Sequence, residues 1–346
     1  MSLSKFNSKY KTEISEKTTE LDAYGKKIGE EGLKILCGIK FTNLQQLLLE
    51  ENDIKNIDCI GKNNFGINLI ALDLSSNKIS NIDVLSKVNF PKLHHLFLNS
   101  NQISSIDVLA KVKFPELKEL NIFANKITDI TVLTKVKFDK LEILVLSQNK
   151  IKNLNILSNN KIVSINILEK VNFPQLRQLD LSRNEITDIN IFSNVKFPIL
   201  EELMVDINKI SSIDVLVNIN CENLKKLKLE KNQVKNINIL EKIFFKKLNY
   251  LSIGDDILGE NVEVLKKIKF GELEDLYLYL NDNIDREKEN IQGIVNYFEE
   301  KGVNFNFISC DDDNDNDINL DDGEFNNANK NDDLGGFKEL LDNPLI

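Results

Sequence analysis

LHHLFLNSNQISSIDVLAKVKF, from Leu93 to Phe114, is the stretch that decides the fold, because the chain goes on repeating it. The next copy, LKELNIFANKITDITVLTKVKF, runs from Leu117 to Phe138. Successive copies begin at Leu44, Leu69, Leu93, Leu117, Leu141, Leu176, Leu200, Leu224, Leu248 and Leu273. From Leu69 to Leu141, and again from Leu176 to Leu248, the step is 24 residues. A fixed period of this size marks a stack of supersecondary units, each burying its apolar face only against its neighbours.

Each copy divides into parts with separate jobs. In LxxLxLxxN the fourth and sixth positions, Leu96 and Leu98 in the copy from Leu93, alternate as strand residues do and are expected to point inward. An asparagine ladder follows at Asn52, Asn77, Asn101, Asn125, Asn149, Asn184, Asn208, Asn232 and Asn281. A buried amide both donates and accepts, so these side chains are expected to satisfy turn backbone in their own and adjacent coils. The copy from Leu248 instead places Asp256 at this point, after Gly254, where a looser turn is expected. Inward isoleucines such as Ile103 and Ile106 come next. Then comes a good helix N-cap type: Asp58, Asp83, Asp107, Thr131, Asn166, Asn190, Asp214 or Asn238. The following VLxKV predicts one or two helical turns on the outer face, with a lysine near the end that suits the helix dipole. Phe90, Phe114, Phe138, Phe173, Phe197, Phe245 and Phe270 are expected to stack into a spine, and Pro91, Pro115, Pro174 and Pro198 to hold an extended approach to the next strand.

The pattern LxxLxLxxNxI resembles the leucine-rich repeat family over roughly Leu21 to Ile308. The resemblance implies an α/β fold: a right-handed leucine-rich-repeat solenoid, a curved horseshoe with a concave parallel β-sheet and short convex helices. The 22-to-24-residue form carrying IDVLxKV is similar to the repeat class of protein phosphatase 1 regulatory subunits. That similarity implies a non-catalytic adaptor or regulatory subunit, with a phosphatase catalytic subunit among the candidate partners. A secreted or surface-exposed internalin-like adhesion or effector protein is the alternative.

Three segments are expected. Residues 1–20 are polar and read as a flexible lead-in; residues 21–308 are the solenoid with its terminal caps; residues 309–346 form an acidic, largely disordered tail. The run LDAYGKKIGEEGLKIL from Leu21 reads as a degenerate first repeat whose Leu33, Leu36 and Ile39 have helical spacing. The step from Leu141 to Leu176 is 35 residues, 11 beyond the period, and Asn149–Ser158 is echoed by Asn160–Glu169. Eleven residues cannot complete a coil of a solenoid whose units need about 20. The surplus is therefore expected to bulge within residues 150–165, away from the sheet, either as a functional loop or as a tolerated insertion. Toward the C-terminus, Arg286–Glu300 places Ile291, Ile294, Val295 and Phe298 at helical spacing, and GVNFNFI alternates as a strand; together they read as a cap.

Charge is uneven. The tail holds ten Asp and two Glu against Lys330 and Lys338, a balance of −10 that equals the net charge of the whole chain, so the body is neutral. A neutral body with an acidic tail is no nucleic-acid binder by bulk electrostatics. The last stretch, LGGFKELLDNPLI, regains apolar residues at Leu334, Phe337, Leu340 and Leu341. No apolar run is long enough to span a bilayer, the N-terminus lacks a secretory h-region, and no Asn-x-Ser/Thr sequon occurs. Cys37, Cys59, Cys221 and Cys310 are scattered without CxxC pairing. A reducing cytoplasmic setting, with the nucleus as a second option, and a monomeric state are expected.

Little points to chemistry. His94 and His95 are the only histidines, and as strand neighbours they face opposite sides and cannot share a metal. No phosphate loop, zinc spacing or nucleophile–base arrangement occurs, so neither catalysis, a cofactor nor a metal is expected. Asp313, Asp315, Asp317, Asp321 and Glu324 match EF-hand loop positions, but Ile318 stands where Gly is needed and no helix precedes them; they read as solvated tail. Lys225, Lys226, Lys228, Lys231, Lys246 and Lys247 form the one basic region.

The outward strand positions are free of core duty and so can carry recognition. Phe97, Phe123, Ile143 and Val145 are expected to form an exposed apolar cluster, and Tyr250, Tyr277 and Tyr279 an aromatic one. With His95, Met204 and the acidic Asp180, Glu202 and Asp206, they make up the surface expected to hold a protein partner.

Overall fold

A computed structural model describes residues 3–62, 65–152, 173–190, 192, 197–219, 222–254, 262–280 and 289–309. Its elements are α1 (Leu3–Tyr10), β1 (Glu20–Asp22), α2 (Gly29–Leu36), β2 (Gln46–Leu48), β3 (Ala71–Asp73), β4 (His95–Phe97), β5 (Glu119–Asn121) and β6 (Ile143–Val145). Then follow β7 (Gln178–Asp180), β8 (Glu202–Met204), β9 (Lys226–Lys228), β10 (Phe244–Phe245), β11 (Tyr250–Gly254), β12 (Lys269–Phe270), β13 (Asp275–Leu280), α3 (Glu289–Glu299) and β14 (Asn304–Ser309). Twelve strands, all but β10 and β12, form one parallel sheet in chain order; those two pair separately. Each strand joins its neighbour through a full coil, so every pairing is parallel.

The strands fall where the leucine pattern puts them. Leu47, Leu72, Leu96, Leu120, Leu144, Leu179, Leu203, Leu227, Leu251 and Leu276 lie in one register row across the sheet, and all are buried. Between the terminal helices α2 and α3, the described coils carry a short 3-10 turn on the side opposite the sheet, as at Asp83–Lys87, Asp107–Ala110, Thr131–Thr134 and Asp214–Asn218. Helical turns occupy more width per coil than strands spaced about 4.8 Å apart, so the stack curls toward the sheet and makes it concave. The phenylalanine spine closes the core, with Phe90 and Phe114 stacked at 6.3 Å and Phe245 and Phe270 at 6.0 Å.

The asparagine ladder is buried and works backward along the chain. Asn101 Oδ1 accepts the Ile79 N–H of the preceding coil at 2.9 Å. Its Nδ2 donates to the preceding coil's Leu74 carbonyl and to the carbonyls of Leu98 and Asn99 in its own turn. Asn125, Asn149, Asn184, Asn208 and Asn232 repeat the set. Asn52 starts it by accepting from Ile28 and donating to Ala23 in the first coil. These bonds hold a turn in which Ser76, Ser100, Ala124, Gln148, Arg183, Ile207 and Lys231 take φ between +50° and +54°, a left-handed conformation that L-residues avoid. A β-branched side chain at Ile207 is the least suited of them.

Several expectations need correction. The N-cap types at Asp83, Thr131 and Asp214 begin the 3-10 turn and do not cap it. The capping acceptor sits two residues earlier: Asn81 Oδ1 accepts the Asp83 N–H, Asp129 the Thr131 N–H and Ser212 Oγ the Asp214 N–H. Within the expected lead-in of residues 1–20, α1 buries Phe6 and Tyr10 beside α2, and the Tyr10 hydroxyl donates to the Ile28 carbonyl. Cys37 and Cys59, unpaired by spacing alone, are joined across adjacent coils with Cα atoms 5.8 Å apart.

The sheet passes the 11-residue surplus without a break. Val145 pairs with Asp180, and the Ile151 N–H reaches Asn184 Oδ1 at 3.0 Å. The expected bulge itself lies outside the described residues, apart from residues 150–152, and so do Asn281 and Asp256. Beside that last position, Gly254 is required by contact: a Cβ there would stand 2.3 Å from the Tyr279 Cβ. That approach lets β11 and β13 pair over five residues.

Candidate functional site

The concave face is built from three rows of side chains, one for each outward position of the strand and turn. The first row reads His95, Glu119, Ile143, Gln178, Glu202, Lys226 and Tyr250 across β4 to β11. In the second, Phe97, Asn121, Val145, Asp180, Met204, Lys228, Ser252 and Tyr277 are partners in register. The third lies just beyond the three-residue strands at Phe123 and Asp206, and inside the longer β11 and β13 at Gly254 and Tyr279, which are partners in register.

The rows differ in exposure. Val145, Asp180, Met204 and Asp206 were expected on the surface, yet they are buried, with Asp180 fully so. A concave sheet draws its central side chains together, and curvature cannot be read from a period-2 pattern. His95, Phe97, Phe123, Ile143, Glu202, Tyr250, Tyr277 and Tyr279 are half-buried. Phe97 stands opposite Asn121, not Phe123, which lies one row further on, so the expected four-residue cluster is split by Asn121. What gathers around Phe97 is His95, its ring stacked at 6.2 Å and its Nδ1 3.0 Å from Glu119 Oε2. His94, expected on the opposite side of the strand, brings its ring edge-on to within 6.1 Å of the His95 ring, and burial pushes its imidazole below the ordinary value.

The C-terminal half of the face is aromatic and charged. Tyr250 stacks on Tyr277 at 5.0 Å, and the ammonium groups of Lys226 and Lys228 sit 5.2 and 5.8 Å from the Tyr250 ring centre. Such cation–ring contacts hold long lysines upright over the sheet. Beside Lys228 lies an acidic pair at the outward turn positions of two coils. Asp206 and Glu230 are neighbours on adjacent coils, since the Ile207 N–H donates to the Glu230 carbonyl at 2.9 Å. Both are buried, and Asp206 Oδ1 and Glu230 Oε2 meet no donor. Burial, reinforced by the Glu230 charge, pushes the Asp206 carboxyl up to about 7. Burial likewise raises Glu230, and burial followed by the Glu230 charge raises the Tyr250 phenol. Asp180 has one structural duty: its Oδ1 accepts the Ser182 N–H at 2.9 Å, tying the strand end to the turn.

Among the described residues, no group of three or more His, Cys, Asp or Glu side chains is placed to hold a metal ion. No helix among them is long and apolar enough to cross a membrane. The EF-hand-like tail lies outside the described residues. In the basic region, Lys225 pairs with Glu201 at 2.9 Å and Lys247 donates to Asn223.

Comparison with known proteins gives the same architecture. The family model described as Leucine Rich repeats (2 copies) matches residues 67–111. No curated protein sequence matches the chain. Among solved structures, an internalin (inlF) from Listeria monocytogenes str. 4b F2365 superposes with a TM-score of 0.57 and 25% identity, covering 89% of this chain and 82% of that one. An internalin C2 (inlC2) from the same strain has a TM-score of 0.50 and 22% identity over 72% of this chain and 90% of its own. A TDR receptor gives a TM-score of 0.50 at 14% identity, over 81% of this chain and 45% of the receptor. Repeat signature, twelve-strand parallel sheet and superposition agree: the chain is a leucine-rich-repeat solenoid.

Proposed function

We propose that this solenoid is a non-catalytic protein-interaction module, an adaptor or regulatory subunit, that holds a protein partner on its concave sheet. One observation carries the reading: His95, Phe97, Phe123 and Ile143 are half-buried apolar and aromatic groups on three consecutive coils, on a face that does no packing for the core. Aromatic anchors in a concave setting supply most of the energy of protein recognition, with Glu119 as a charge among them beside His95 and Glu202 at their margin. Substituting Phe97 and Phe123 together with Ser is expected to abolish partner capture and leave the melting temperature within about 2 °C, the effect of a surface change. Loss of folding would assign both rings to the core. A phosphatase catalytic subunit is the first candidate that the repeat resemblance implies, in the cytoplasm or nucleus, and binding of the purified subunit to the wild-type and doubly substituted chains tests it.

The Cys37–Cys59 link favours a second reading, a surface or secreted protein of the internalin kind, because disulfides persist in oxidising compartments. Alkylation of cell extracts before and after reduction separates the two. Thiols blocked until reduction support the oxidising site; thiols alkylated at once support the cytoplasmic one.

A further inference from the structure

The two ends of the stack are finished differently. At the N-terminal end α1 lays Phe6 and Tyr10 over the first coil, and Phe6, Leu21 and Leu33 are sealed from solvent. At the other end the last strand of the sheet among the described residues is β14. Its Phe305 and Phe307 are in register with Leu276 and Leu278 of β13, so they belong to the core rows. Leu276 and Leu278 are buried, whereas Phe305 and Phe307 are only half so. Phe305 packs on Phe298 of α3 at 5.9 Å and on Phe307 at 4.9 Å. The outer side of this aromatic layer, and the free edge of a six-residue strand, meet no further coil among the described residues. A solenoid end left in this state invites association, which is why terminal units carry a cover with a polar outer face.

We propose that this open end is closed in cis by Phe337–Asn343, whose Phe337, Leu340 and Leu341 lie over Phe305 and Phe307. The chain continues directly from β14, and the 27 residues 310–336 link the two. A linker of that length spans about 30 Å root-mean-square, more than the end of one coil requires, and keeps the segment at millimolar effective concentration. FKELLDN places Phe337, Leu340 and Leu341 at i, i+3 and i+4, one face of a helical turn. Gly335 and Gly336 precede it and Pro344 stops it. Lys338, Glu339 and Asp342 take the other face, and the acidic run before the segment adds the repelling outer surface that an end cover needs. Both ends of the stack are then shut by one short amphipathic helix carrying two or three large apolar side chains.

Hydrogen exchange on the full-length chain tests this, comparing wild type with a Phe337→Ser, Leu340→Ser, Leu341→Ser variant and with a Lys338→Ala, Glu339→Ala control. These substitutions leave every residue of the coils intact, so a folding failure does not cloud the result. The expected outcome is slowed exchange over 337–343 in wild type, with protection of β14 falling about tenfold in the triple variant and unchanged in the control. A monomeric mass in all three completes the expected set. Free-chain exchange over 337–343, or equal β14 protection in wild type and triple variant, would overturn the proposal. So would a doubled mass with concentration-dependent protection, which would put a second copy on the open end.

Discussion

Asn125→Ala removes one rung of the ladder, and its cost can be built up bond by bond. The side chain accepts the Ile103 N–H at 2.9 Å and donates to the carbonyls of Leu98, Ile122 and Phe123 at 3.0, 3.2 and 3.1 Å. Ile103 is fully buried, so water does not replace the lost acceptor, and one orphaned N–H costs about 1–3 kcal/mol. The three carbonyls lose a shared donor, a smaller penalty for groups with two lone pairs. The left-handed turn at Ala124 also loses what pins it. The sum is about 2–4 kcal/mol, against less than about 0.5 kcal/mol for the exposed neighbour Lys126→Ala. Because a stack can open locally, urea melting is best paired with residue-level hydrogen exchange. The Ile103 amide should lose protection first, although it lies 22 residues from the substitution. If that amide keeps its protection and the loss of stability matches Lys126→Ala, the ladder is not what holds the turns.

Three further expectations follow from the same bonds and charges. Asp206 titrates near 7 in the folded chain and near 4 unfolded, so its contribution to stability declines as pH rises between those values. Asp206→Asn should therefore raise the melting temperature by an amount that grows from pH 5 to pH 7 and then levels off; a pH-independent difference would contradict the buried carboxyl pair. Ile207→Asn places a residue that tolerates φ near +50° where a β-branched one now sits, and should add about 0.5–1 kcal/mol in a urea titration. An unchanged or lowered midpoint would mean that the isoleucine side chain contributes more than its backbone costs. Reduction of Cys37–Cys59, which closes a loop with a separation of 22 residues, should lower stability by about 3 kcal/mol, and a Cys37→Ser, Cys59→Ser chain should no longer respond to reductant.

The fold was legible because each of its rules is local. A strand needs only its alternating leucines, a ladder only an asparagine at the ninth position, a spine only a phenylalanine every 24 residues. The binding face was legible only in outline. Period-2 alternation says that Val145, Asp180 and Met204 leave the core side, but not that the curvature of the sheet covers them again. It also puts Phe97 and Phe123 on adjacent coils without saying that Asn121 stands between them in register. The cap acceptors at Asn81, Asp129 and Ser212 were visible as polar residues two before the expected site, and the rule for Asx and Ser turns would have found them. The Asp206–Glu230 pair left a trace as two acids one period apart. The Cys37–Cys59 contact left a similar one, a separation close to one coil.

The backward reach of the asparagines gives the molecule a direction in time. Every rung from Asn52 to Asn232 completes the turn of the coil made before it. A chain emerging from the ribosome is therefore always one coil behind itself, because its newest turn keeps an unmet N–H until the next asparagine arrives. A chain ended after any of these rungs leaves one turn at its C-terminal front without an asparagine acceptor, while loss of coils from the N-terminal side leaves the remaining described turns, up to that of Asn208, served. Along these rungs the turn of each coil is closed by the asparagine of its successor, never by that of its predecessor.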